Sequence, residues 1–149
     1  MEFVESQPHR RGFSDPGNPW LASELGRFCR VHRLRREIYE AAGEWANIVR
    51  LYGAVWGAPQ AENHGSGGMG QGPSMATQEK WKAQMLAIEE ALYGDHGTNK
   101  ARYKATSDLV LRGYPVPREL VPHALDGLRI VAIELNWMAA RDQPFQEAA

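Results

Sequence analysis

Leu34, Ile38, Ala41, Trp45, Ile48, Tyr52 and Val55 follow one another at intervals of 4, 3, 4, 3, 4 and 3 residues. Such a series falls on one face only in an α-helix, where about 3.6 residues complete a turn. A strand, with its repeat of about two residues, would scatter the same side chains over both faces. The seam extends back to Val31, and Ala42, Val49 and Trp56 widen it. Three heptads, roughly, is short for a committed coiled coil, so a bundle is the expected setting. Gly57-Ala58-Pro59 ends the helix.

The rest of the chain follows the same grammar. Asn18-Pro19 reads as a helix start, and a short helix is expected from Pro19 to about Arg30, weakened at Gly26. Thr77 can cap a helix that places Trp81, Met85, Ile88 and Leu92 on one face, closed by Gly94. Thr98 can cap "NKARYKATSDLVLR", closed by Gly113. The prolines of "YPVP" force an extended turn. A last helix, from Pro117 or Pro122 to Ala140, carries Leu125, Leu128, Ile130, Val131, Ile133, Leu135, Trp137 and Met138. These cover more than one stripe, so that helix is either central or shared with a partner. No segment reads as a strand. The expected fold is an all-α single-domain bundle of about five helices.

Its plan is a loose arm over residues 1–18, a helical domain over 19–141 and a tail over 142–149. Residues 60–74, QAENHGSGGMGQGPS, are rich in glycine, and a flexible loop is expected over 60–75. It lacks the GxxxxGK[ST] pattern and a preceding strand that a phosphate loop requires.

The chain of 149 residues is one ordinary domain, 43% hydrophobic and 23% charged. A formal net charge of −1 excludes whole-molecule attraction to nucleic acid, so any such contact needs a local patch. One cysteine excludes an internal disulfide. The opening MEFVESQPHRRG is not a secretory signal, and no run approaches the ~18 apolar residues of a membrane span. A soluble, cytoplasmic protein is expected.

The local patch is "RFCRVHRLRRE", residues 27–37. Arg33 can pair with Glu37 and Arg36 with Glu40, each four residues on. That leaves Arg27, Arg30, His32 and Arg35, with Glu24 near Arg27. Arginine at all five positions suits bidentate contact with phosphate or carboxylate. A face for nucleic acid and a solvated or protein-docking face both fit. A second group, Lys100, Arg102 and Lys104 around Tyr103, stands at a helix start, where cations oppose the dipole. It reads either as a phosphate contact or as a wet stripe with Tyr103 packed inward.

Other features carry less. Cys29 and His32 have a C-x2-H spacing, but structural zinc needs about four ligands, and His9, His64, His96 and His123 are scattered. No metal and no cofactor is expected. Glu89 and Glu90 point apart on a helix, and Asp126 and Glu134 read as a polar edge with Arg129 nearby. Helix-GYPVP-helix departs from helix-turn-helix, because the turn is long and the second helix too apolar for a groove. GxSxG and HExxH are absent, so a non-enzymatic protein is expected. Of the five tryptophans, three lie on apolar seams; Trp20 and Trp56, near helix ends, can anchor an interface.

"REIYEAAGEWANIVRLYGAVWGAP" and "LVLRGYPVPRELVPHALDGLRIVA" resemble segments of small, mostly uncharacterised helical proteins of bacteriophages and prophages, chiefly of alphaproteobacteria. The resemblance covers about half the chain and includes no catalytic motif. It implies an accessory or regulatory protein in a bacterial cytoplasm. The leading expectation is therefore a non-enzymatic DNA-binding regulator of phage type. Arg27, Arg30, Arg33, Arg35 and Arg36 would hold phosphates, with Lys100, Arg102 and Lys104 as a second contact. The alternative is an adaptor or inhibitor that binds a host or phage protein through the same arginines or through Trp20 and Trp56. The apolar breadth of the last helix, with Ile130, Ile133 and Trp137, points to a homo-oligomer.

Overall fold

The computed structural model describes residues 22–57 and 72–146, except for the side chains of Trp56 and Gly57. The arm over 1–18, the Asn18-Pro19 start, Trp20, the Ala58-Pro59 stop, nearly all of the glycine-rich loop and residues 147–149 lie outside the described residues, as does the Trp56 side chain.

Among the described residues five α-helices pack on one another and no strand forms. They are α1 (Glu24–Val31), α2 (Arg36–Gly57), α3 (Met75–Tyr93), α4 (Lys100–Arg112) and α5 (Val121–Glu134). Single 3-10 turns, Asp95–Gly97 and Arg118–Leu120, precede α4 and α5. The fold is all-α. No helix among the described residues is long and apolar enough to cross a membrane.

Each N-terminus that a side chain caps starts at a different residue from the one expected. Ser23 accepts from the Gly26 amide at 3.0 Å, Ser74 from Thr77 at 3.1 Å and Asn99 from Arg102 at 3.1 Å. Thr77 and Thr98 gave way to Ser74 and Asn99, which stand where the backbone turns into the helix. Gly94 and Gly113 close α3 and α4 at φ of 73° and 70°, as expected of residues without a Cβ.

The long seam is the spine of the core. Leu34, Ile38, Ala41, Trp45 and Ile48 are buried, and Tyr52 and Val55 are half-buried. Burying one such large apolar side chain contributes about 1.5–3 kcal/mol. The seam does not reach Val31, which is 59% exposed. The chain turns a corner there. The Leu34 amide donates to Cys29 O at 2.9 Å and that of Arg33 to Arg30 O at 3.3 Å, with Arg33 left-handed at φ 53°. This is a Schellman stop, built on arginine where glycine is usual.

The last helix likewise ends early, at Glu134 instead of Ala140. Asn136 is left-handed (φ 63°), and the Trp137 amide returns to Ala132 O at 2.8 Å. Helix α5 lies against α2, α3 and α4 together. Its two stripes serve two parts of one core. Ala124, Leu128 and Ala132 join Phe28, Cys29, Ile38, Ala41, Ala42, Ala105 and Leu109; Val131 joins Trp45, Ile88 and Leu92. Ile133 packs on the first cluster and Ile130 on the second. Much of the breadth of α5 is thus used within one chain.

Helices α4 and α5 approach closely at Gly127. A Cβ there would stand 1.8 Å from Thr106 Oγ1 and 2.9 Å from Thr106 Cβ. Thr106 is fully buried, its hydroxyl donating to Arg102 O at 2.7 Å. Replacing Gly127 by Ala should therefore force α4 and α5 apart and lower stability by about 1–3 kcal/mol. Denaturant unfolding measures this. Adding Thr106→Ala should restore part of the loss, because the hydroxyl is the nearest obstacle.

Candidate functional site

The arginine-rich stretch is not one helix face. It is the corner between α1 and α2, and a C-terminal strip holds it. The Arg35 amide donates to Pro144 O at 2.9 Å, and the Gln146 amide to Arg33 O at 2.7 Å. Between them Leu34 and Phe145 form an isolated antiparallel bridge. The Gln146 side chain donates to Leu34 O at 3.0 Å, and Arg35 Nη1 to Gln143 O at 3.3 Å. Residues 142–146, read as tail, are thus tied to the corner.

Three of the corner's arginines are matched by nearby carboxylates. Arg27 pairs with Glu24, Arg35 with Glu37, and Arg36 with Glu40 at 3.4 Å. The left-handed turn at Arg33 moves its side chain out of helical register, so Arg35 takes the Glu37 that spacing offered to Arg33. Residues 24–44 hold five arginines and four glutamates, a net of about +1. Binding that rests on counterion release needs several uncompensated cations.

The second group is similarly engaged. Arg102 is a structural staple. Its Nε donates to Leu92 O at 2.8 Å, Nη2 to Ala91 O at 3.1 Å and Nη1 to Asp126 at 2.7 Å. It thereby caps the last carbonyls of α3 and fastens them to α5, with 15% of its side chain exposed. The guanidinium expected as a phosphate contact is thus engaged within the protein at this junction. Lys104 pairs with Asp108 at 2.7 Å, which Arg112 also approaches at 3.6 Å. Tyr103 packs inward, stacked on Tyr93 with centroids 4.4 Å apart. Arg33 and Lys100 are exposed and have no carboxylate within ion-pair distance among the described residues. Arg30 is half-buried on α1.

Beside the corner lies a groove of about 230 Å³, lined by Arg36, Glu37, Glu40 and Trp137. Trp137 is 39% exposed, and its indole N–H donates to Glu44 at 3.2 Å. The turn after α5 delivers Trp137 to this place, and α2 supplies the opposite wall. Of the expected interface residues, Trp137 is at the surface, whereas Ile130 and Ile133 pack on the core. Sequence reading missed Glu44, although Glu37, Glu40 and Glu44 have the 3,4 spacing of a helical stripe.

Cys29 is fully buried, and burial pushes its thiol from an ordinary 9.0 up to about 12. His32 lies against Phe28, ring centroids 4.4 Å apart, and burial lowers its pKa. Among the described residues no three His, Cys, Asp or Glu side chains gather as metal ligands would.

Arg102→Ala strips partners from Leu92 O, Ala91 O and Asp126, and should cost about 2–4 kcal/mol in denaturant unfolding. Lysine should recover less than half, having no planar fork, while Lys104→Ala should change stability by no more than about 0.5 kcal/mol. Cys29 should resist a thiol reagent in the native protein and react on unfolding, since only the thiolate attacks. With the folded thiol pKa raised, its contribution to stability is intact below pH 9.0 and declines as pH climbs toward 12. Cys29→Ala should remove that part of the alkaline loss.

No family model, no curated protein and no solved structure matches the chain.

Proposed function

We propose that this protein is a non-enzymatic protein-binding module, of adaptor or inhibitor type, whose contact surface is the groove between α2 and Trp137. One observation carries this reading: the arginines of the corner are largely matched by neighbouring glutamates, while an aromatic ring beside them faces water. Tryptophan and arginine are the residue types that concentrate binding energy at protein interfaces. The indole is held by its N–H and by the turn that carries it, so little side-chain freedom is lost on binding. A groove of about 230 Å³ falls below the roughly 300–1,000 Å³ of small-molecule sites and suits a side chain of a partner. The resemblance to phage and prophage proteins suggests a host or phage protein as that partner.

DNA binding is the second reading. Arg33 and Lys100 favour it, being exposed cations without a nearby acid among the described residues. Two phosphate contacts would give a log–log salt slope of only about −2.

Fluorescence anisotropy with labelled duplex and single-stranded DNA, from low to physiological salt, separates the two. The protein-binding reading expects no saturable binding at physiological salt. It also expects a bacterial protein held by the wild type and released by Trp137→Ala, with folding intact by circular dichroism. Saturable DNA binding that persists at physiological salt with a log–log slope of about −2, abolished by Arg33→Glu with Lys100→Glu, would overturn it in favour of the second reading.

A further inference from the structure

We propose that the outward face of α3 pairs with the same face of a second copy of this chain, the two helices running antiparallel across a two-fold axis. Two of the large apolar side chains that stand at the surface belong to α3: Met75 is 64% exposed and Leu86 53%. They are eleven residues apart, about three helical turns, so they share one line along the helix. Glu79 and Lys82 lie between them on that line, and both are exposed. The stripe is thus Met75, Glu79, Lys82 and Leu86, at intervals of 4, 3 and 4 residues. The other side of the helix, with Ile88 and Leu92, is the side committed to the core. Neither Glu79 nor Lys82 has an opposite charge within ion-pair distance among the described residues.

The order of these four residues selects the occupant. The intervals read the same in both directions. An antiparallel copy therefore sets Met75 against Leu86 and Glu79 against Lys82, each twice by symmetry. Apolar meets apolar, and acid meets base. A parallel copy would set Glu79 on Glu79 and Lys82 on Lys82, so the sign of the charges fixes the direction of the partner. Alternating steps of 4 and 3 are also those along which two helices interlock side by side. A contact of three turns or so falls below the ~800 Å² per partner of a standard interface, so the association is weak and depends on concentration.

The test is sedimentation equilibrium of the full chain at low salt, up to about 1 mM. The mass should rise from that of one chain toward that of two as concentration increases, and added salt should oppose the rise. Glu79→Lys and Lys82→Glu should each weaken association about tenfold or more, because like charges then meet twice. The double variant, Glu79→Lys with Lys82→Glu, should regain it. So should an equimolar mixture of the two single variants, in which every base again faces an acid. Both positions are exposed, and unchanged circular dichroism certifies the fold of each variant. A chain that stays single throughout overturns the proposal, even one whose Leu86 serves to hold some other protein. Association undiminished in both single variants, or regained in neither the double variant nor the mixture, also overturns it.

Discussion

Helix α5 has three helical neighbours and fourteen residues with which to meet them. A helix in that position cannot keep a wet face of ordinary width, and it cannot be flanked by large side chains on every side. The chain resolves this with small residues. Ala124 and Ala132 on α5 share a cluster with Ala41, Ala42 and Ala105 of its neighbours, and Gly127 lets Thr106 occupy the space of a missing methyl. Larger side chains fill both clusters: Phe28, Leu34, Ile38, Leu109 and Leu128 in the first, and Trp45 beside Val131, Ile88 and Leu92 in the second. The buried Thr106 hydroxyl satisfies itself on Arg102 O, so the tight crossing leaves no stranded polar group.

The same economy governs charge. Arg102 works as a joint: one guanidinium takes two carbonyls at the end of α3 and a carboxylate on α5. At the α1–α2 corner the pairs are short-range, three or four residues apart or nearer, and lie at the surface. Such pairs add little stability. Their effect is on recognition, because they turn an arginine-rich sequence into a surface of mixed sign. What remains distinctive there is shape, with the ring of Trp137 exposed beside an acidic stripe.

How much of this could be read from residues alone depended on whether the signal was periodic. The α2 seam is a property of spacing, and every member from Leu34 to Ile48 is buried. Gly94 and Gly113 were readable as stops because positive φ selects for glycine. The caps slipped by one to three residues since Ser74 and Asn99 compete with Thr77 and Thr98 on nearly equal terms. The end of the first helix near Arg30 was legible, but the left-handed corner at Arg33 was not, because an arginine in that backbone conformation carries no compositional mark. The role of Arg102 was hidden for a similar reason: its partners come from α3 and α5, ten and twenty-four residues away, and no local rule links them. The groove was half visible. Trp137 was conspicuous, whereas its partner Glu44 lies 93 residues earlier and stood out only as one more acid on a wet face.

The clasp between Gln146 and Leu34 joins positions 112 residues apart. During synthesis the first corner of the bundle emerges long before the strip that fastens it, so the nascent chain carries Arg33 and Leu34 with open backbone groups through most of its elongation. Closing so long a loop is slow compared with forming the helices it encloses. The corner that shapes the proposed contact surface is therefore completed only by a contact between segments far apart in the chain.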